Sequence, residues 1–310
     1  MKVKKIVAAL ALVALIAACG IMIFIGKERT QGYTVVSTNF VGYDFARAII
    51  GDASKVKMLL KPASEMHNYE PTPQDIIAIA NADFFIYTGG ESDEWVADVL
   101  RDNDINKNKT IRMMDYVELK NEELKEGMEG ESEDDEYDEH IWTSPVNAIR
   151  IIQAIRDHLE AKNMGNVTEY SKNAAEYISK LEAIDAQFRD IVKNAKRKEL
   201  IFADRFPFRY FVDEYGLNYY AAFPGCAEQT EASSKTIAFL IDKVKADQIP
   251  VVLKIELTSD ALAQTIAQET GAKILTLDAA HNIPQADFDA GKTYADIMTD
   301  NQKVLEEALN

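Results

Sequence analysis

Cysteine is scarce in this chain, which has only Cys19 and Cys226 among its 310 residues. Two thiols cannot build the disulfide framework of a small secreted domain. Basic residues are also few, because 34 Lys and Arg stand against 51 Asp and Glu, which gives a net charge of −17 at pH 7. That sign is wrong for holding a phosphate backbone, so we expect no nucleic-acid partner.

The bulk composition is that of a folded protein. Hydrophobic residues make up 47% of the chain and charged residues 27%, with 14 Gly and 8 Pro, which excludes collagen, general disorder and a multi-span membrane protein. A chain of 310 residues is too long for one ordinary domain. It fits two lobes of about 150 residues each.

The first segment has the pattern of an export signal. A lysine-rich start precedes Ile6–Ala18, an apolar run without charge, as in a signal peptide. The run ends in Ala17-Ala18-Cys19-Gly20, which resembles the bacterial lipoprotein cleavage motif, in which the cysteine is lipid-modified. Apolar residues continue to Ile25, so an uncleaved signal anchor is the alternative. We predict a signal peptide at 1–19, lipidation at Cys19, a tether at 20–32, and a protein anchored to the membrane outside the cytoplasm.

Short β-rich runs alternate with helical patterns along the rest of the chain, which is typical of α/β folds. The first four runs are Tyr33–Ser37, Val56–Leu60, Asp83–Tyr87 and Thr110–Met114, and the second four are Leu200–Ala203, Asn218–Ala222, Val251–Ile255 and Lys273–Leu277. We therefore predict two α/β lobes with four-stranded sheets, one at 33–160 and one at 200–310.

One long helix is predicted between the lobes, over 166–199. Thr168–Glu199 contains no Gly or Pro, and its apolar residues recur at steps of three and four, which indicates one helix face. At about 1.5 Å per residue such a helix reaches roughly 48 Å, long enough to run along both lobes. We expect a rigid backbone helix that opposes wide hinge opening.

An acidic run covers 121–139 and contains eleven Asp or Glu residues but one lysine. Like charges at this density repel each other, so a solvated, disordered loop is the simplest interpretation. The functional alternative is a loop that gathers cations with low affinity.

Three of the four histidines lie in loops next to predicted strand ends: His67, His140 and His281. Imidazole nitrogen binds zinc well, and a zinc site needs about four ligands. His158 has the pattern of a helix-surface residue. Cys226 could add a thiolate ligand, but an unpaired cysteine is more often a small buried apolar side chain.

Three segments have recognisable motifs. The first histidine stands in His67-Asn68-Tyr69-Glu70-Pro71-Thr72-Pro73-Gln74-Asp75, which has the form H-x-Y-E-P-T-P-x-D. Asp138-Glu139-His140-Ile141-Trp142 has the form D-x-H-x-W, and Tyr210–Leu217 has the form Y-x-x-x-x-Y-G-L. Together these segments resemble one known family, the metal-binding lipoproteins that serve zinc or manganese ABC importers (cluster A-I). The resemblance implies two α/β lobes bridged by one long helix.

The resemblance also implies metal ligands from both lobes. His67 and His140 match directly, but Arg205 stands where the family's third ligand is expected, and a guanidinium cannot bind a cation. We expect His281 to replace it. For the fourth position, Asp278, which matches the family's acidic ligand, competes with Glu231, and Arg205 is expected to pair with whichever acid is not on the metal.

The function implied is a solute-binding protein, not an enzyme, that captures Zn²⁺ between its lobes and delivers it to an ABC permease as a monomer. Imidazole ligands favour zinc over Mn²⁺, which prefers oxygen donors. The first alternative is a membrane-anchored zinc hydrolase with Glu256 as its base. The second, suggested by Arg205, is a non-metal solute binder or adhesin on the same fold.

A first prediction concerns pH. Zinc binds neutral imidazole, so protons compete with the metal, and affinity is expected to fall as the pH drops through about 6.5, the reference pKa of histidine. Zinc affinity measured at several pH values checks this. A flat profile between about pH 5.5 and 7.5 would contradict it.

Overall fold

A computed structural model describes residues 34–128, 136–227 and 231–310. Within these ranges the chain forms two four-stranded parallel sheets with flanking helices, as the sequence predicts. The signal peptide at 1–19, Cys19 and the tether at 20–32 lie outside the described residues. Thr34–Asn310 forms one compact unit, and the division into two domains stays a prediction.

The two central strands of the first sheet, Val35–Ser37 and Phe84–Tyr87, are almost entirely buried, as expected for parallel strands covered on both faces. Its elements are β1 (Val35–Ser37), α1 (Phe40–Ile50), β2 (Val56–Met58), α2 (Pro73–Asn81), β3 (Phe84–Tyr87), α3 (Trp95–Asp102), β4 (Thr110–Arg112) and α4 (Pro145–Ala161). The strand order is β2-β1-β3-β4. A Thr72–Asp75 capping box starts α2 at Pro73, as Thr72-Pro73 predicts.

The long helix α5 (Val167–Asn194) follows and is confirmed, although it ends five residues before the predicted end at 199. The chain leaves the helix at Ala195, which has extended backbone angles. Lys198 then accepts a hydrogen bond from the N–H of Asn218, so the chain has already turned toward the second sheet.

The second sheet repeats the topology of the first, with the order β6-β5-β7-β8. Its elements are β5 (Glu199–Phe206), α6 (Arg209–Tyr215), β6 (Asn218–Pro224), α7 (Ser234–Ala246), β7 (Val251–Lys254), α8 (Ala261–Thr270), β8 (Lys273–Thr276), α9 (Gln285–Asp289) and α10 (Tyr294–Leu309). In each sheet the strand order reverses beside the first strand, where open α/β sheets bind ligands at the carboxyl ends of their strands.

Strand β5 is longer than predicted, because it continues through Asp204 and Arg205 to Phe206. The Asp204 carboxylate is buried but accepts hydrogen bonds from the N–H groups of Arg205 and Ile255. These bonds offset the cost of burying a charge in a strand. The register shifts between Phe202 and Arg205, so Arg205 lies at an irregular strand end.

The acidic run at 121–139 is not disordered throughout. In its described parts, Asn121 pairs with Tyr137 in an antiparallel bridge, and Asp138 and Glu139 are completely buried. The prediction of a solvated loop is wrong for these residues because specific donors hold both carboxylates, as described below.

None of the helices in the described ranges has the length and apolar character needed to cross a membrane.

Helix α5 contacts helices of both sheets, and Tyr177 on α5 marks one such junction. Its hydroxyl donates to the buried Asp44 carboxylate on α1 over 2.5 Å and accepts from the N–H of Ala295 on α10 over 3.2 Å. Asp44 also accepts from the N–H of Tyr294. One buried hydroxyl therefore joins the long helix to an element of each half.

Tyr177→Phe should lower the free energy of unfolding by about 1–2 kcal/mol, because it removes two buried hydrogen bonds, one to Asp44 and one from Ala295. The matched control Tyr137→Phe removes the hydroxyl of a half-exposed tyrosine and should change stability by less than about 0.5 kcal/mol. Urea denaturation measures both. Equal changes in the two variants would contradict the role given to the Tyr177 junction.

Candidate metal centre

His67 reaches the centre from the loop between β2 and α2. Its Nδ1 lies 3.0 Å from Oε1 of Glu139 and 3.1 Å from the Ser92 hydroxyl. Ser92 in turn donates to Glu139 from both its hydroxyl and its N–H. The backbone N–H of His67 is directed at Glu65 Oε1, 3.3 Å away. The ring and the backbone of His67 are thus held separately.

His140 follows the acidic run and is fully buried. Asp138 Oδ1 accepts from the His140 N–H over 2.8 Å and lies 2.9 Å from its Nδ1. The Asp-x-His spacing folds the carboxylate back onto the ring two residues later. Tyr210 is the first residue of the Y-x-x-x-x-Y-G-L segment. Its hydroxyl donates a hydrogen bond to the Asp138 carbonyl and fixes this turn.

His281 lies five residues after β8 and belongs to the second sheet. Glu256, just past the end of β7, accepts from the His281 N–H, and its Oε1 lies 2.9 Å from His281 Nδ1. Its other oxygen accepts from the N–H of Ala279 over 2.7 Å. The preceding residue, Ala280, has a positive φ of 57°, which turns the chain so that the ring faces the other two histidines.

The three histidines converge although they are far apart in sequence. Their ring centroids are 4.6–5.7 Å apart, and ring nitrogens from all three lie within 4.8 Å of one another. In each ring Nδ1 faces a carboxylate, whereas Nε2 is buried without a hydrogen-bond partner. Three imidazoles whose Nε2 atoms converge, with carboxylates behind their Nδ1 atoms, are the arrangement by which proteins hold zinc.

Burial and hydrogen bonding set the protonation of these groups. Burial, aided by the neighbouring His281 and His67, lowers the pKa of His140 well below its usual value, so this ring stays neutral. Burial favours a raised pKa at Glu139, but its contacts with His67 outweigh burial and lower that pKa to about 2. For Asp138 burial prevails and raises the pKa to about 7. The centre thus combines the neutral ring of His140 with the ionised carboxylate of Glu139.

The structure does not bring Asp278 or Glu231 into this group of described residues. Asp278 accepts from the N–H of Ala280 two residues later, and Glu231 is exposed to solvent. Glu256 is the acid that contacts His281. The structure thus shows the Asp278 carboxylate held by the N–H of Ala280 rather than grouped with the three histidines, and the acidic fourth ligand stays a prediction.

Arg205 pairs with neither of these acids, which also differs from the expectation. Its Nη2 donates to Oε2 of Glu65 over 2.8 Å, and Glu65 Oε1 accepts from the N–H of Met66 over 2.9 Å. The contact with Arg205 helps to lower the pKa of Glu65 to about 2 against the effect of burial. The guanidinium is neutralised by an acid from the His67 loop.

Cys226 lies beside the centre, grouped with His67 and Glu139. Burial and the carboxylates of Glu139 and Glu122 raise the pKa of its thiol well above the usual value. When no metal is bound this thiol is therefore protonated and unreactive.

Sequence reasoning missed the carboxylates behind the imidazoles. Asp138 stands inside the D-x-H-x-W segment, so its spacing to His140 was a usable signal. Glu139 and Ser92 are 47 residues apart, and no local pattern connects them. The sequence suggests Glu256 only as the base of a zinc hydrolase. His158 lies apart, with its Nδ1 3.0 Å from the Ala154 carbonyl of its own helix.

Two parallel sheets whose strand ends share a cluster of three histidines define an α/β protein with a candidate metal centre. A family model described as "Zinc-uptake complex component A periplasmic" (ZnuA) matches residues 35–308. The chain therefore belongs to this family, and the resemblance seen in its sequence is confirmed.

Individual relatives agree with this assignment. The chain is 32% identical over 303 residues to "High-affinity zinc uptake system protein ZnuA" of Bacillus subtilis, covering 95% of this chain and 94% of that protein. It is 32% identical over 288 residues to "Zinc-binding lipoprotein AdcA" of Streptococcus pneumoniae, covering 92% of this chain. The match spans only 57% of that AdcA protein.

Among solved structures, the Zn(II)-bound ZnuA-like domain of Streptococcus pneumoniae AdcA is similar to this chain with a TM-score of 0.75 and 31% identity. The alignment covers 90% of this chain and 99% of that domain. The two-sheet architecture is thus shared with a structure that holds zinc.

Glu139→Gln should weaken Zn²⁺ binding by about 10- to 100-fold, because the carboxylate behind a metal-binding imidazole orients the ring and raises its basicity. The matched control is Glu126→Gln, an exposed acid of the same run, which should change affinity by less than about threefold. Competition with a chromophoric chelator measures both. Similar losses in the two variants would show that only overall charge matters.

Proposed function

We propose that this chain is the solute-binding component of an ABC importer for zinc. It would capture Zn²⁺ with His67, His140 and His281 and pass it to a membrane permease. The observation that carries this proposal is the convergence of three buried Nε2 atoms, each without a partner. Such atoms would be costly to bury unless a ligand satisfies them.

Zinc is the proposed metal because the available donors are imidazole nitrogens. Mn²⁺ prefers more oxygen ligands and binds nitrogen sites more weakly. The carboxylates of the centre are engaged by imidazoles and backbone N–H groups, which leaves them behind the ligands. The names of the ZnuA and AdcA relatives support the same metal.

The proposed location is outside the cytoplasm, with the chain anchored through a lipid at Cys19. The cleavage-like motif at Cys19 supports this, as does the description of the AdcA relative as a lipoprotein. We propose that the chain acts as a monomer and meets its permease at the membrane surface.

A binding role fits the centre better than catalysis. A zinc hydrolase needs a base near the open metal position. Glu256, the base considered from the sequence, has one oxygen on His281 and the other on the Ala279 N–H. Both its oxygens are occupied, so it is poorly placed to take a proton from water.

The test is metal content by elemental mass spectrometry on the full chain, purified in detergent and equilibrated with equal Zn²⁺ and Mn²⁺. The native chain should retain close to one zinc and little manganese, and His281→Ala should lose most of the zinc. His158→Ala is the matched control, because that ring lies apart from the centre. It should retain zinc as the native chain does. A native chain without zinc would overturn the proposal.

A further inference from the structure

A small cavity of about 110 Å³ opens beside the metal centre. Glu65, Arg205, Glu256 and His281 are among the residues that line it. It therefore contains groups from the loop of the first sheet and from three strand ends of the second. Arg205 is the cation among its lining residues.

Most polar atoms that line this cavity are already engaged. Glu65 uses one oxygen for Arg205 and the other for the N–H of Met66. Glu256 uses its oxygens for His281 and Ala279. Each oxygen of these two carboxylates therefore already accepts a hydrogen bond or faces an imidazole.

Two of the residues that line the cavity each carry a buried atom without a hydrogen-bond partner, Nε of Arg205 and Nε2 of His281. The Arg205 side chain is only 9% exposed, so water does not readily solvate its Nε–H. A buried donor without an acceptor costs about 1–3 kcal/mol. An acceptor that enters the cavity would remove this cost.

The three histidines supply three ligands, and zinc in proteins usually has four. The structure places neither Asp278 nor Glu231 in the fourth position. The missing ligand must then be able to bind a metal on His281 and accept a hydrogen bond from Arg205. An oxygen with free lone pairs meets both conditions.

We propose that Arg205 holds a small carboxylate-type anion, such as acetate or bicarbonate, whose oxygen completes the coordination of the metal bound by the three histidines. The anion's second oxygen accepts a single charge-assisted hydrogen bond from the Arg205 Nε–H, because Nη2 already donates to Glu65. This inference rests on the proposed function, because it requires a metal on the histidines.

Size favours an anion over a single water molecule. A cavity of about 110 Å³ exceeds the space that one water needs. With the metal on His281 Nε2, the Arg205 Nε–H is the remaining unpartnered atom of this pair. A carboxylate has one oxygen for the metal and a second for that N–H. The anion would thus act as a second, exchangeable part of the bound cargo.

The test uses the full chain loaded with one equivalent of Co²⁺, whose visible absorption reports the ligands around the metal. Bicarbonate and, separately, acetate are titrated to about 100 mM in a buffer that does not bind metals. In the native chain the Co²⁺ spectrum should change and saturate. Arg205→Gln should raise the half-saturating anion concentration at least about tenfold.

Arg189→Gln is the matched control, because Arg189 lies on α5 and pairs with Asp185 and Glu214, away from the cavity. It should titrate as the native chain does. Arg205→Lys keeps the charge but loses the planar fork, and it should fall between the native chain and Arg205→Gln. If Arg205→Gln fails to fold, the native and Arg205→Lys titrations still decide the question.

The experiment distinguishes failure of the anion site from failure of the proposed zinc capture. A native chain that binds Co²⁺ fully but shows no spectral change with either anion overturns the anion site and leaves zinc capture standing. An equal response in Arg205→Gln also overturns it. A native chain that binds no metal overturns the proposed function, and the anion site with it.

Discussion

The metal centre depends on one repeated interaction, a buried carboxylate facing Nδ1 of each histidine. The distances are 3.0 Å at His67, 2.9 Å at His140 and 2.9 Å at His281. This contact fixes which nitrogen faces the carboxylate and which faces the centre. Burying three carboxylates is costly unless other donors satisfy them. The N–H of His140 donates to Asp138, and the N–H of His281 donates to Glu256. The Ser92 hydroxyl donates to Glu139.

The segment from Asp138 to Trp142 is where the two sheets meet around the centre. Glu139 faces His67 of the first sheet's loop, and the Trp142 indole N–H donates to the Ala279 carbonyl near His281. Tyr294 of α10 donates its hydroxyl to the Trp142 carbonyl over 2.6 Å. The end of the acidic run therefore connects parts of both sheets, and its last two acidic residues, Asp138 and Glu139, make their contacts inside the protein.

The sheets, the long helix and the loop positions of the three histidines can be predicted from the sequence, because each has a local signature. Short β-rich runs, the apolar stripe of α5 and the H-x-Y-E-P-T-P-x-D segment are all recognisable without the fold. The strand end at Arg205 and the burial of Glu139 could not, because charged residues normally indicate loops. What reverses that preference is a set of distant partners, Ile255 for Asp204 and Ser92 for Glu139. Periodicity carries no information about such contacts.

Arg205 shows how a cation can stand beside a metal centre without destroying it. A guanidinium aimed at the metal would repel it, but here Nη2 is turned to Glu65, and the same carboxylate holds the N–H of Met66 next to His67. The positive charge is thus neutralised and helps to fix the loop that carries the first histidine. His281, supported by Glu256, lines the same small cavity as Arg205. Arg205 is therefore structurally linked to the loop that carries His67. A change at Arg205 would disturb Glu65 and, through Glu65, the backbone that positions His67.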